Sequence, residues 1–254
     1  MTTWDPGQYL KFADHRLRPA LDLLARIPVK EPNTIWDLGC GPGNVTQFLK
    51  ERWPAARVVG LDSSAAMLEK ARAIAGIDWV KGDIADWHAD MPVSLVYSNA
   101  ALHWVPNHAT LFPHLMRQIE RGGALAAQMP RNFDSPSHTL LYDTAREGPW
   151  APHVGQALGK MYVQAPDRYY DLLVPLATHI DIWEVEYLHV LQGDNAVLEW
   201  TKGTAVRPLL DAMPAAMHTE FLSLYAARLA KAYPKRIDGM TLFPFRRLFI
   251  VAVR

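Results

Sequence analysis

The sequence predicts an α/β fold, a doubly wound and mostly parallel sheet with an antiparallel pair at one edge. Three observations predict it. From Thr34 to Met129, short β-branched or apolar runs alternate with helical segments, the pattern of parallel strands joined by crossover helices. A glycine-rich turn, Asp37-Leu38-Gly39-Cys40-Gly41-Pro42-Gly43, ends the first run and opens the first of these helices. Two late strands are separated by a long helical insertion, which suggests an antiparallel edge pair with the insertion forming a lid.

Taken in order, Tyr9 to Ala25 reads as an amphipathic helix with Leu10, Ala13, Leu17, Leu21 and Leu24 on one stripe, closed by Ile27-Pro28. Strands are expected at Thr34–Leu38, Arg57–Leu61, Asp78–Lys81, Leu95–Ser98 and Ala124–Met129, with helices beginning near Gly43, Ser64 and Asn107. Ser63 and Ser64 are natural N-caps, followed by a helical period at Ala65, Leu68, Ala71 and Arg72. Gly122-Gly123 is expected to break the helix before the fifth strand. Pro130 to Ile180 is rich in proline and aromatics and reads as a covering segment rather than sheet. Asp181–Val190 alternates like a strand, Asn195 to Tyr233 is helical in character, and Arg247–Val253 supplies a last apolar strand. The expectation is one domain over residues 1–254: a covering helix in 1–30, a cofactor-binding core in 31–130, and substrate-covering insertions at 131–180 and 194–240.

A chain of 254 residues, half of them apolar, buries a sizeable core and suits one large α/β domain. Lys plus Arg total 26 and Asp plus Glu total 26, so no whole-chain field gathers nucleic acid or an anionic membrane. Any charged substrate must then be held by a local cluster. The single Cys40 forms no internal disulfide, the first residues lack the basic start and apolar core of a secretory signal, and no stretch approaches the ~18 unbroken apolar residues of a membrane span. These features point to a globular protein of a reducing cytoplasm, and the expectation is a monomer acting on a small molecule, with no nucleic-acid, membrane or metal partner.

Glycines at the end of the first strand let the backbone turn sharply and approach a ligand, so a nucleotide-like cofactor is expected there; a ligand-free turn is the alternative. The dinucleotide pattern G-x-G-x-x-G would need glycine at Asn44 or, from the next frame, at Thr46, and the lysine of a phosphate-binding loop is absent. A cofactor without a pyrophosphate fits better. Asp62, at the end of the second strand, stands where a carboxylate accepts hydrogen bonds from ribose hydroxyls, with Ser63 and Ser64 opening the next helix. Gly82-Asp83-Ile84 follows the third strand, where Asp83 can read an adenine amino group while Ile84 and Met67 sandwich the ring. Ser98-Asn99-Ala100 brings Asn99 to the carboxyl edge beside the glycine loop.

In this order, D-x-G-C-G-x-G, L-D-S-S-x-x-M-L, G-D-I and S-N-A resemble the class I S-adenosylmethionine-dependent methyltransferases. The resemblance covers Thr34 to Met129 and implies a Rossmann-like seven-stranded sheet with a reversed final strand. It implies Gly39 and Gly41 against the methionine part of S-adenosylmethionine, Asp62 on ribose, Asp83 and Ile84 at adenine, and Asn99 near the sulfonium, while Asp37, Ser63 and Met67 are further candidates for binding the cofactor. Across nearly the whole chain, W-D-P-x-x-Y-L-x-F, A-L-H-W-V-P-N-H, L-F-P-H-L, Gln128-Met129-Pro130, T-x-x-x-V-R-P-L-L and R-L-F-I-V-A-V-R resemble the trans-aconitate 2-methyltransferase family. That resemblance implies esterification of one carboxylate of a small unsaturated tricarboxylic acid, with S-adenosylhomocysteine as product.

A carboxylate with an unperturbed pKa near ~4 is already ionised at neutral pH, so no general base is expected, and catalysis rests on alignment and exclusion of water. A trianion demands cationic donors, and the planar fork of arginine binds carboxylates bidentately. Arg16 and Arg18 on the first helix, Arg207 in the late insertion and Arg247 leading into the last strand are the candidates. Tyr9, Phe12 and Trp104 are candidates to close the pocket over the sulfonium. His103 has no proton to remove in this chemistry and is read as structural. Three alternatives remain open: methylation of a phenol or carbon with His103 as base, a nicotinamide-dependent oxidoreductase, and a non-enzymatic S-adenosylmethionine sensor.

Overall fold

The computed structural model describes residues 13–158 and 162–254, the first four of these by backbone alone. Valine, isoleucine and leucine run through β1 (Thr34–Leu38), β2 (Arg57–Asp62) and β4 (Val93–Asn99), and their side chains are almost entirely buried. Strands buried on both faces belong in the middle of a parallel sheet. With β3 (Asp78–Lys81), β5 (Ile119–Pro130), β6 (His179–Leu191) and β7 (Thr241–Val253), the described residues form a seven-stranded sheet in the order β3-β2-β1-β4-β5-β7-β6. Pairing is parallel from β3 to β5, with Ile35 opposite both Val58 and Leu95. It turns antiparallel at β5–β7, where Ala124 faces Val253 and Pro130 faces Arg247.

Helices α1 (Ala13–Ala25), α2 (Thr46–Arg52), α3 (Ala65–Ala71) and α4 (His108–Arg117) alternate with the parallel strands. Ser64 caps α3 by accepting the Met67 N–H, and Asn107 precedes α4. Four expectations shift. The first crossover helix starts at Thr46, since tight turns occupy the glycine loop as far as Val45. In α1 the buried line is Ala20, Leu23 and Leu24, continued by Ile27, while Leu21 is 38% exposed, so the helix is rolled away from the expected stripe. Leu10 and Tyr9 lie outside the described residues. Gly122-Gly123 does not end α4, which stops at Arg117; it lies inside β5 as a bulge, where the register jumps from Val93–Ile119 to Leu95–Ala124. The last strand also begins six residues before Arg247, at Thr241.

The chain divides into two compact units. One contains Leu17–Pro130, Tyr162–Val185 and Arg247–Arg254, and its aliphatic core includes Leu38, Val96, Leu102, Leu125 and Ile250. Within it α7 (Pro166–Leu173) packs Tyr169 against Phe112, ring centroids 4.6 Å apart. The other contains residues 13–16, 131–158 and Glu186–Arg246, with α5 (Pro136–Glu147), α6 (Ala151–Val154), α8 (Ala196–Lys202), α9 (Arg207–Ala212) and α10 (His218–Ala232). Its core is built on Trp150, Trp200, Phe221, Tyr225, Tyr233 and Phe243. No helix among the described residues is long and apolar enough to cross a membrane.

Candidate active site

From β1 the strand order runs outward to β2 and β3 on one side and to β4 and β5 on the other, so a crevice opens at the carboxyl ends of β1 and β4. The glycine loop lies there. Gly39 has φ +79°, and a Cβ on it would stand 2.2 Å from Ala101 Cβ and 3.3 Å from Ile84 Cδ1, so only glycine passes this point. Gly41, at φ +57°, borders open space: a Cβ there would meet nothing within 4 Å. Its N–H donates to Asp62 Oδ2 at 2.9 Å, while the Ser64 N–H donates to Asp62 Oδ1 at 2.8 Å. Asp62 thus ties the ends of β1 and β2 together, and each of its oxygens keeps acceptor capacity for a hydroxyl. A backbone-lined opening beside a fixed carboxylate fits a ribose-bearing cofactor.

Behind the loop, buried Asp37 accepts the Thr46 hydroxyl at 2.6 Å. Burial pushes its carboxyl up to about 7; the Thr46 hydrogen bond opposes this and the Asp62 charge adds to it. Burial also raises the Cys40 thiol, which stays protonated. Asp83 is exposed and accepts the Ala85 N–H at 2.9 Å, capping the turn Ile84–Asp86. Ile84 and Met67 are buried, and Ser63 is exposed next to Asp62. All nine residues expected at the cofactor therefore belong to one unit: eight at strand ends or in the turns that follow them, and Met67 in the first turn of α3.

A second group gathers where β4, β5 and β7 meet. Asn99 is the parallel partner of Gln128, and Ala100, held at φ +53°, donates its N–H to the Gln128 carbonyl at 2.9 Å. A non-glycine residue in this left-handed region is uncommon and marks a turn held by its surroundings. Buried Arg247 donates from Nη1 to Gln128 Oε1 at 3.4 Å. His108 holds the turn Leu102–Trp104: its Nε2 lies 3.0 Å from the Leu102 carbonyl and its Nδ1 2.6 Å from the Tyr169 hydroxyl. A carbonyl only accepts, so Nε2 carries the proton and Nδ1 receives the phenol's. On that turn, burial above all pulls the His103 imidazole down to about 3, with Arg247 and His108 adding to the effect. Such a ring is neutral at physiological pH and a poor proton acceptor. Trp104 is 54% exposed, its ring 4.6 Å from that of His103.

The expected substrate cations are distributed. Arg247 is buried at the strand ends, whereas Arg18 is 72% exposed on α1 with Asp22 3.9 Å away. Arg207 belongs to the other unit, where it opens α9 and pairs with Asp211 at 3.0 Å. Arg16 is described by backbone only, and Tyr9 lies outside the described residues. Two residues of the site escaped the sequence reading of roles, Thr46 and Gln128. The signal for Gln128 was a lone amide in the apolar run Ala124–Met129; Thr46 left none beyond its place in the first crossover helix.

Comparison with known proteins is consistent along the chain. A family model described as a methyltransferase domain matches residues 35–123. The trans-aconitate 2-methyltransferase of Azoarcus sp. (strain BH72) is 50% identical over 255 residues, covering 100% of both chains. That of Rhodopseudomonas palustris (strain BisB18) is 44% identical over 256 residues, again covering 100% of both. Among solved structures, an S-adenosylmethionine-dependent methyltransferase from Mesorhizobium loti matches with a TM-score of 0.52 at 21% identity, covering 92% of this chain and 96% of its own. The YcgJ protein of Bacillus subtilis matches with a TM-score of 0.60 at 11% identity, covering 93% and 98%. At these identities the structures speak for the fold alone.

Proposed function

This chain belongs to the trans-aconitate 2-methyltransferase family, and from that premise we propose that it transfers the methyl group of S-adenosylmethionine to one carboxylate of trans-aconitate, giving a monomethyl ester and S-adenosylhomocysteine. The observation that carries the substrate is end-to-end identity at half of all positions to a relative of that name. The geometry supports it through a buried cation, Arg247, at the carboxyl edge of the sheet.

When bound, the cofactor supplies a methyl sulfonium, an electrophile that needs no further activation. Asp62 would hold the ribose hydroxyls, with Ser63 beside it; Asp83, Ile84 and Met67 would receive the adenine; Gly39 and Gly41, backed by Asp37, would take the methionine part, and Asn99 would serve the sulfonium end. Arg247 offsets the charge of the acid, since a guanidinium fork matches a carboxylate. Arg207 is a further candidate cation for the acid. Arg16, Arg18, Tyr9 and Trp104 complete the covering set. No proton has to leave the nucleophile, and His103, with its imidazole pulled down to about 3, is ill suited to take one. The chain contributes position, charge and shelter from water. The same reading makes it a cytoplasmic monomer without a nucleic-acid partner, supported by zero formal net charge and one buried cysteine.

The test is a methyl-transfer assay over a panel of di- and tricarboxylic acids, with phenols included and products detected by mass. Trans-aconitate is expected to gain one methyl group faster than any other compound. Methylation of none of the acids, or of a phenol in preference to them, would overturn the assignment.

A further inference from the structure

We propose that Gln128 is a specificity-determining residue for the acid: its side-chain amide N–H group donates to a carboxylate that is not being methylated, next to the charge of Arg247. The proposal rests on the polycarboxylate reading above and names the group that reads one arm of it.

Gln128 stands near the end of β5 in the run Ala124–Met129 and is fully buried, with apolar neighbours on either side in sequence. A primary amide in such a place loses its water and needs partners. Only half of it has one. Oε1 accepts from Arg247 Nη1 at 3.4 Å, whereas Nε2 has no hydrogen-bond partner. The direction of this amide is fixed by its neighbour, because a guanidinium only donates and must face the carbonyl oxygen. Nε2 is therefore turned away from Arg247, and only an acceptor can satisfy it. A carboxylate is acceptor-only, and the positive charge of Arg247 alongside favours an anion over a neutral carbonyl or hydroxyl.

Position supports the same assignment. Pairing places Gln128 opposite Asn99 on β4 and opposite Phe249 on β7, and Arg247 opposite Pro130, so Asn99, Gln128 and Arg247 share one face of the sheet. Asn99 Oδ1 likewise has no hydrogen-bond partner. Two unsatisfied polar atoms on adjacent strands, at the carboxyl end where ligands bind in this architecture, mark a place prepared for polar groups from outside the protein.

The test measures binding to enzyme saturated with S-adenosylhomocysteine, so that affinity is read without turnover. The probes are trans-aconitate and the three unsaturated diacids that each lack one of its carboxylates: mesaconate, itaconate and glutaconate. Gln128→Leu is expected to weaken trans-aconitate about tenfold to a hundredfold, the loss of a hydrogen bond to a charged group. Two diacids should weaken by a similar factor. The third, which lacks the arm read by Gln128, should bind variant and wild type within about twofold, and S-adenosylhomocysteine affinity should not move. Gln128→Glu keeps an oxygen acceptor for Arg247, which guards against a folding failure of the leucine variant, but replaces the donor by an anion; its loss should exceed that of leucine. Equal weakening of all three diacids would assign Gln128 a purely structural role, and unchanged affinity in either variant, or no acid binding by the wild type, would also overturn the proposal. Wild-type enzyme that binds the acids with this pattern but transfers no methyl group would sink the assigned reaction and leave the subsite standing.

Discussion

The sheet unit and the helical unit treat buried polarity in different ways. In the helical unit the core hydroxyls and indole are tied to backbone: Tyr225 donates to the Ser137 carbonyl at 2.6 Å, the Ser137 N–H donates to the Tyr233 hydroxyl at 3.0 Å, and Trp150 Nε1 donates to the Thr144 carbonyl at 2.7 Å. Aromatic rings pack around these bonds, with Trp150 edge-on to Phe221 at 5.2 Å. In the sheet unit the interior is aliphatic, and its polar groups collect at the strand ends, where Asp37 is buried against its ionisation and Asn99 Oδ1 and Gln128 Nε2 lack partners. A scaffold closes its polar accounts internally, while a binding unit leaves groups for its ligands to satisfy. The contrast has exceptions: Asn132, a buried amide of the helical unit, has both Oδ1 and Nδ2 unsatisfied, and in the sheet unit Trp79 Nε1 and Trp87 Nε1 lack partners although neither residue is assigned to a ligand.

The largest effect expected from this contrast is in the scaffold. Trp150→Ala removes a fully buried ring together with its hydrogen bond and should destabilise the protein by about 3–5 kcal/mol. Denaturant unfolding measures it, and cofactor affinity of the folded fraction should stay within about twofold, because the residues assigned to the cofactor belong to the other unit. A variant as stable as wild type would break the picture of an aromatic scaffold.

Next comes the charge buried behind the glycine loop. Burial holds the folded Asp37 carboxyl up at about 7 against 3.8 for an ordinary aspartate, so between those pH values the folded chain keeps a proton that the unfolded chain has released. The stability it contributes is present below about pH 4 and is lost as pH rises through 7. His103, pulled down to about 3, and His138, pulled down to about 4 by burial, have the opposite sign: their contribution is present above pH 6.5 and is lost as pH falls. The windows overlap, so Asp37 is isolated by the difference between a variant and the wild type at each pH, in which the histidine contributions cancel. Asp37→Asn keeps an acceptor for the Thr46 hydroxyl and should stabilise the cofactor-free protein by roughly 2–4 kcal/mol at pH 8 and far less at pH 5. Equal differences at the two pH values would show that Asp37 is not held against ionisation.

A smaller change is expected at the carboxylate that joins the two loops. Asp62→Ala removes the acceptor of the Gly41 and Ser64 N–H groups as well as the ribose partner. Loss of a hydrogen bond to a charged group is worth about 1.5–3 kcal/mol, so S-adenosylmethionine affinity should fall on the order of tenfold to a hundredfold by calorimetry. Unchanged affinity in a folded variant would remove Asp62 from the site.

The two units also differed in how much the sequence disclosed. β1 and β3 were legible to the residue, because the runs Thr34–Leu38 and Asp78–Lys81 have abrupt polar or glycine boundaries. Motif spacing located Gly39, Gly41 and Asp62, and their geometry follows from strand ends that any parallel sheet presents. The helical unit was legible only as helical character: its core rests on aromatic packing between distant segments, which carries no short period. Gly122-Gly123 misled because a glycine pair punctuates a helix and bulges a strand with equal ease, and the choice depends on the pairing of β4 with β5. Gln128 went unassigned because a single polar residue in an apolar run reveals its role only once Arg247, from a strand more than a hundred residues later, is seen beside it.

The smallest effect is a predicted absence of change, and it decides whether the strand-end polar groups bind or react. With cofactor and acid both saturating, kcat should be flat from about pH 6 to 9, since a carboxylate nucleophile is ionised throughout that range. The His103 imidazole, held down at about 3, does not change its charge there either. Saturation matters, because Asp37 titrates near 7 in the free protein and can lend a pH dependence to cofactor binding that a kcat measurement avoids. A phenol or carbon nucleophile would behave otherwise: losing its proton in the rate-determining step, it would give a limb rising through neutrality, set by the general base. Such a limb in the wild type, abolished by His103→Gln with cofactor affinity intact, would make His103 a base and turn the strand ends from a binding surface into reacting machinery. A flat profile in both proteins leaves the work of the site to position and charge.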